Sequence, residues 1–339
     1  MGIDYFVPSD YHLKYLASLK PEMVFSKKGE NPVLWQRILR ARLKELLGDF
    51  PRKKVPLKPK ILQRKEFRDY FRERLVFTSE PFADIPAYLL IPKNVSLPVP
   101  AVVCLQGHSP GMYISIGEAR SKHDKKSIAG DRDFALQSVK EGYLALAIEQ
   151  RCFGERKETK QKARAAHGCQ DAAMHSLILG KTLIGERVWD VIRGIDYLEG
   201  RKEVDKKRIA CLGNSGGGTI TFFAACIDKR IKVAIPSCYY CSFSHSIMRI
   251  YHCVDNYIPG IMRLADIGDL AGLIAPRALI VVAGEKDLIF PIKGVREAFQ
   301  QTKRIYKAFK AEKYLHLLVG KGGHRFYKDL AWPVIKNQL

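Results

Sequence analysis

Short apolar runs and amphipathic stretches take turns along most of the chain. Strand-length apolar runs fall at 100–106, 143–149, 208–214, 232–237, 277–284 and 313–319. Between and after them, apolar residues recur at helical spacing over 131–142, 181–200, 216–227, 293–309 and 327–339. Strands that are apolar throughout must be covered on both faces. Their alternation with helices predicts an α/β fold with a mainly parallel central sheet and helices on both sides.

Upstream the rhythm differs. Residues 1–50 read as mostly helical, with apolar positions three to four apart from Pro32 to Leu47 and a glycine stop at Gly48. A proline-punctuated basic connector follows, and then two strand-like runs near 67–78 and 85–92 that pair as antiparallel neighbours. The predicted organisation is an N-terminal helical extension and connector over 1–65, then one α/β domain over 66–339. Three longer, less regular connections, 107–130, 150–180 and 238–272, are candidate cap insertions.

One junction carries chemistry. The run Arg208–Leu212 enters Gly213-Asn214-Ser215-Gly216-Gly217-Gly218, and an Ala/Phe-rich helix leaves it. A serine on a sharp strand-to-helix turn, with glycines on either side, fits a nucleophile held in a strained backbone conformation. The phosphate-cradle alternative lacks its companion residues: no G-x-x-x-x-G-K-[ST] and no G-x-G-x-x-G fingerprint is present.

A serine hydroxyl needs a base, and the base needs an orienting acid. Both follow downstream at predicted strand ends. The run 278–284 leads into Glu285-Lys286-Asp287, where Asp287 is the chosen acid and Glu285 the fallback. The next strand leads into Gly320-Lys321-Gly322-Gly323-His324, and His324 is the chosen base. His316 lies within a strand and reads as a packing residue. An oxyanion needs two N–H donors. The backbone of Gly216, directly after the nucleophile, supplies one. The backbone of His108, on the Gln106-Gly107-His108 loop after the first core strand, supplies the other.

Composition changes this picture little. A hydrophobic fraction of 47% over 339 residues supports a large core. The formal charge of +22 is spread over short basic clusters with no nucleic-acid-binding signature, so nucleic acid is not expected as a partner. No apolar run approaches a membrane span and no secretory leader opens the chain, so no membrane partner is expected. Four of the eight cysteines, Cys104, Cys211, Cys226 and Cys238, fall in or beside apolar segments, which fits reduced thiols and a cytoplasmic setting. The group Cys238, Cys241, His245, His252 and Cys253 has loosely zinc-like spacing, but it lies in a candidate cap, and no metal is expected. Tyr239, Tyr240, Phe243 and Tyr257 in the same cap are candidate walls of a substrate pocket.

Over residues 70–339 the chain resembles the α/β-hydrolase superfamily, and within it the acetyl xylan esterase and dienelactone-hydrolase-like branches. The matching pieces are Leu105-Gln-Gly-His, Gly213-Asn-Ser-Gly-Gly, Gly284-Glu-Lys-Asp-Leu-Ile-Phe-Pro and Gly323-His324. The resemblance implies a serine hydrolase of small carboxylic esters, often acetyl groups on carbohydrate, that needs no cofactor and acts through an acyl-enzyme; the alternatives are a serine hydrolase of amide or peptide bonds and a non-catalytic basic binding protein on the same scaffold. The partner implied is a small-molecule ester, and a homo-oligomer is left open. The chain departs from that branch at Gln106, at Asn214 and Gly216, and around Gln150-Arg151, where Arg151 reads as a structural residue near the site.

Overall fold

The computed structural model describes residues 6–26, 31–158 and 168–339. Nine strands form one sheet: β1 (Lys60–Glu66), β2 (Tyr70–Glu80), β3 (Ala83–Pro92), β4 (Val99–Leu105), β5 (Leu144–Ile148), β6 (Val204–Asn214), β7 (Ile231–Ser237), β8 (Ala278–Gly284) and β9 (Leu315–Gly320). Their order across the sheet is β1-β2-β3-β5-β4-β6-β7-β8-β9. The pairs from β1 to β5 are antiparallel, and those from β5 through β9 are parallel. All residues of β4, β5 and β8 are buried, as the unbroken apolar runs require.

The helices are α1 (Pro8–Ser18), α2 (Pro32–Leu47), α3 (Lys122–Ala129), α4 (Phe134–Lys140), α5 (Cys169–Ile178), α6 (Leu183–Glu199), α7 (Gly216–Ile227), the short α8 (Ile261–Leu264) and α9 (Ile267–Leu270), α10 (Ile292–Ala308) and α11 (Lys328–Gln338). Two apolar clusters lie on opposite faces of the sheet. One joins α2, α6, α7 and α10 to residues such as Val103, Cys211 and Val281. The other joins α4 and α11 to their alternating neighbours Val102, Ala210 and Ile280. This is the alternation of a strand whose two faces are both covered.

The sequence pattern located the parallel strands and their helices to within a few residues. It missed β1, which falls in the stretch read as connector. Every residue of β1 is exposed, so it has no apolar alternation to betray it, and its pairing with β2 defines it. Helix α2 is also more than an outlying extension: Trp35, Leu39, Leu43 and Leu47 are buried in the main core. Of the connections read as cap insertions, 107–130 contains α3, 238–272 contains α8 and α9, and 150–180 contains α5 and lies partly outside the described residues.

The order β5-β4-β6 places a topological switch at β4. The chain leaves β4 toward one side to make β5, then crosses back to make β6 on the other. Loops at the C-terminal ends of strands flanking such a switch diverge and leave a crevice, where ligands of open α/β sheets bind.

Candidate active site

Ser215 sits in that crevice, on the turn between β6 and α7. Its backbone has φ 57° and ψ −123°, a conformation that costs an L-residue free energy and that the surroundings must impose. Neighbouring strands do so. Ser215 N donates to the Ser237 carbonyl at 2.9 Å, and the Ser215 carbonyl accepts from Thr219 N at 2.9 Å. The turn is so tight that a Cβ on Gly213 would lie 2.4 Å from the Gly217 carbonyl oxygen, and one on Gly217 would lie 2.1 Å from the Leu105 carbonyl oxygen. Asn214 accepts a hydrogen bond from Ser237 Oγ at 2.8 Å, which ties the elbow to β7.

The acid and base meet as the strand order requires. His324 Nδ1 donates to Asp287 Oδ2 at 2.8 Å. The other Asp287 oxygen accepts from the backbone N–H groups of Ile289 at 2.9 Å and Phe290 at 3.2 Å. Burial alone would raise the Asp287 carboxyl, but His324 and the two amides outweigh it and hold the group below its ordinary value. Glu285, the fallback, is exposed, whereas Asp287 is buried. Burial and the His324 contact decide between them.

Ser215 and His324 line one cavity of about 320 Å³ together with His108, Arg132, Gly216, Tyr251, His252, Cys253, Asn256, Ile289 and Phe290. The Phe290 ring stacks on His324 at 5.9 Å between centroids. Arg132 donates to the His324 carbonyl at 2.8 Å. His252 pairs with Ser246 Oγ at 3.0 Å, and burial pushes its imidazole down to about 4, so it stays neutral.

The loop after β4 packs onto the elbow. A Cβ on Gly107 would lie 3.1 Å from Ser215 Cβ, so the loop backbone runs directly beside the nucleophile. The loop is held from below by residues that depart from the esterase pattern. Gln106 Nε2 donates to Glu149 Oε1 at 2.6 Å, Met112 N donates to the same oxygen at 3.1 Å, and Gln150 Nε2 donates to the Gln106 carbonyl. Burial of Glu149 pushes its carboxyl up to about 7 despite the amides that oppose this.

The side chain of His108 is also part of the site. Its ring lies against the elbow: a Cβ on Gly216 would come within 3.2 Å of Nδ1. Its Nε2 lies 3.0 Å from Asp255 Oδ2. Asp255 is itself paired with the fully buried Arg187 at 2.6 Å. Burial pushes the His108 imidazole down, but the Asp255 charge and hydrogen bond reverse the balance and raise it to about 9. The His108 ring thus lies beside the turn that carries Ser215, with Asp255 favouring its protonated form.

Two groups of ligand-type atoms fall within 4.8 Å of one another among the described residues: His108, Cys169, Cys253 and Asp255, and Cys238, Asp287 and His324. The second is the acid–base pair itself with a buried thiol. In the first, a guanidinium already supplies the cation: Arg187 donates to Asp255 and lies 3.6 Å from Cys169 Sγ. Both arrangements read as charge and thiol networks rather than metal cages.

The expected pocket walls are not where the sequence placed them. Tyr239, Tyr240 and Phe243 are core residues, each no more than 2% exposed. Tyr239 packs against Phe222, Phe223 and Phe290, and the Tyr240 hydroxyl pairs with Thr302 Oγ1 at 2.5 Å. Tyr257 is 44% exposed and lines a separate apolar groove with Phe243. The residues that do line the cavity, Arg132, Tyr251, His252 and Cys253, sit in loops without periodicity. His252 and Cys253 stand out only for their zinc-like spacing, and nothing local in the sequence distinguishes Arg132 and Tyr251 from solvated positions. Arg151 is structural as expected, paired with Glu80, Glu186 and Asp190. No described helix is long and apolar enough to cross a membrane.

Known proteins share this fold. A Bacillus subtilis (strain 168) protein assigned as a hydrolase, YtaP, is 27% identical over 290 residues, covering 84% of this chain and 92% of its own. A Bacteroides fragilis NCTC 9343 structure assigned as an acetyl xylan esterase superposes with a TM-score of 0.82 at 19% identity, covering 99% of this chain and 96% of that one. A CE15 glucuronoyl esterase from Teredinibacter turnerae T7901 gives a TM-score of 0.69 at 18% identity, covering 95% and 88% of the two chains. The family model that matches spans residues 9–315, reaching back over the N-terminal helices beyond the resemblance at 70–339. The chain belongs to the Abhydrolase family and has the α/β-hydrolase fold.

Proposed function

We propose that this protein hydrolyses small carboxylic esters through an acyl-enzyme on Ser215. The observation that carries the reading is the meeting of a strained serine at a strand–helix elbow with a His324–Asp287 pair on one cavity. In the proposed cycle His324 Nε2 takes the Ser215 proton as Oγ attacks the ester carbonyl carbon. The tetrahedral oxyanion faces the N-terminus of α7, with the Gly216 and His108 backbone N–H groups as donors and the His108 imidazolium adding positive potential. His324 then gives its proton to the departing alkoxide, leaving an ester on Ser215 and a free alcohol. Water, activated by the same imidazole, attacks that ester and releases the carboxylic acid and the serine hydroxyl. Asp287 fixes the His324 tautomer and balances its transient charge.

A cavity of about 320 Å³ suits a short acyl group with part of a sugar-sized alcohol. Relatives named as acetyl xylan and glucuronoyl esterases support carbohydrate esters as the substrate class. The test is a panel of p-nitrophenyl esters of increasing chain length, acetylated xylo-oligosaccharides and a methyl glucuronate ester, run beside Ser215→Ala. Short acyl esters are expected to turn over fastest, and Ser215→Ala to lose at least about 10⁴-fold in kcat. Comparable turnover by the purified variant would overturn the proposal.

A further inference from the structure

The catalytic cavity has a second reactive group on its wall. Cys253 lines it and is half-buried, so a small solute in the cavity can reach its thiol. Behind it lies Cys169, the first residue of α5, which is fully buried. The two Sγ atoms, a His108 ring nitrogen and an Asp255 oxygen all fall within 4.8 Å of one another. Cys169 Sγ also faces Asp255 Oδ2 at 3.7 Å. The neighbouring Cys169 thiol, assisted by His108, holds the Cys253 thiol below its ordinary value against burial, while Cys152 and Cys253 push the Cys169 thiol up. Of the two, Cys253 is the thiol on the cavity and the one whose surroundings favour the thiolate. Arg187, 3.6 Å from Cys169 Sγ, adds a fixed positive charge beside the pair. A solvent-reachable thiolate beside cationic groups, backed by a second thiol, is the arrangement that oxidants select.

We propose that Cys253 and Cys169 are a peroxide-oxidisable pair built into the wall of the catalytic cavity. The Cys253 thiolate attacks one oxygen of a hydroperoxide, breaking the O–O bond and forming a sulfenic acid. The alkoxide or hydroxide released takes up a proton. The Cys169 sulfur then attacks Cys253 Sγ, expelling the sulfenic oxygen as water. With hydrogen peroxide the balance is two thiols and one peroxide giving one disulfide and two waters. Cys152, which also contacts Cys169, is 3% exposed and is not on the cavity, so it is not the first thiol to react.

Closing the bond needs the sulfurs to approach to about 2.05 Å. Cys253 directly precedes the 3₁₀ turn Val254–Asn256. That turn carries Asp255, the partner of His108, and Asn256, which accepts from Thr219 Oγ1 of α7 at 2.9 Å. Drawing Cys253 toward α5 therefore strains the supports of the oxyanion loop and the elbow. Bond formation is independent of the ester-hydrolase reading; the expected fall in turnover rests on it.

The test treats the reduced full-length protein with a few equivalents of hydrogen peroxide. Intact mass, non-reducing peptide mapping and p-nitrophenyl acetate turnover are followed together. A loss of two hydrogen masses, a peptide joining Cys169 to Cys253, and turnover falling in step with the cross-linked fraction and returning with dithiothreitol are expected. Ser215→Ala is expected to form the same bond, which separates this inference from the esterase reading. Cys169→Ser is expected to keep its turnover before oxidation and to accumulate a dimedone-reactive Cys253. A Cys152–Cys169 link in place of the expected one, or no link in the wild-type protein after the peroxide is consumed, would overturn the pair. A complete link with unchanged turnover would overturn its coupling to the site.

Discussion

Replacing Asp255 by Asn tests the buried network beneath the oxyanion loop. Both side chains of the Arg187–Asp255 pair are 1% exposed, and the contact is 2.6 Å. The rest of the Arg187 guanidinium is held by the Arg151 carbonyl, at 3.1 and 2.7 Å, and by the Phe153 ring, 4.5 Å away. No second carboxylate pairs with Arg187 among the described residues. Asparagine keeps the shape and an acceptor oxygen but removes the charge, leaving a guanidinium buried without a counter-ion. Breaking a buried pair on one side costs about 3–5 kcal/mol. For a 339-residue chain the unfolding entropy is about 0.7 kcal/mol per degree, so the midpoint is expected to fall by about 4–7 °C. Thermal unfolding at a fixed scan rate, followed by circular dichroism, reads the shift, and urea unfolding gives the free energy independently. Removing both charges, as Arg187→Met with Asp255→Leu, is expected to cost less than removing one, because no guanidinium is then buried without its counter-ion and His108 can shed its proton. A single variant within about 1 kcal/mol of the parent, or a double variant worse than the single, would refute this reading.

Asp287→Asn is expected to lower kcat by about 10⁴-fold with the fold intact, since His324 loses the partner that fixes its tautomer; circular dichroism beside ester kinetics checks both parts. Glu149 gives a pH test. Its carboxyl is raised to about 7 in the folded chain, so the protonated form is the one the fold prefers. The stability it contributes is fully present below the unfolded value near 4.5 and is lost as pH rises through 7, by at most about 3 kcal/mol. Glu149→Gln, read by urea unfolding between those limits, is expected to flatten that slope, and an unchanged slope would count against it. Gly217→Ala places a Cβ 2.1 Å from the Leu105 carbonyl oxygen, and is expected to lose more than about 2 kcal/mol and most turnover because the elbow cannot close.

The proposed serine, acid and base were legible as candidates because each occupies the end of a strand that the apolar pattern already located. The register of β6, β8 and β9 then brings Ser215, Asp287 and His324 to one edge of the sheet. Gln106 was legible only as a departure. Its meaning lies in Glu149, which is distant in sequence and adjacent across the β4–β5 pair. The pocket walls were misread because aromatic residues in a connection between strands look alike whether they face a ligand or the core. Tyr239, Tyr240 and Phe243 follow β7 closely and are drawn into the core, Tyr239 against α7 and Tyr240 against α10, rather than over the cavity. Asp255, Arg187 and Cys169 come from three separate segments. Their convergence depends on how α5, α6 and the 254–256 turn pack, which no local pattern encodes.

Covalent labelling of Ser215 tests the central assignment most directly. The protein is incubated with a fluorophosphonate, and the modified residue is located by peptide mapping. Ester turnover is followed on the same samples, beside a His324→Ala variant. Stoichiometric phosphonylation at Ser215, loss of turnover in proportion, and labelling slowed by at least about 10³-fold in the variant are expected. Labelling at another residue with full loss of turnover, or full turnover with Ser215 completely labelled, would contradict the assignment.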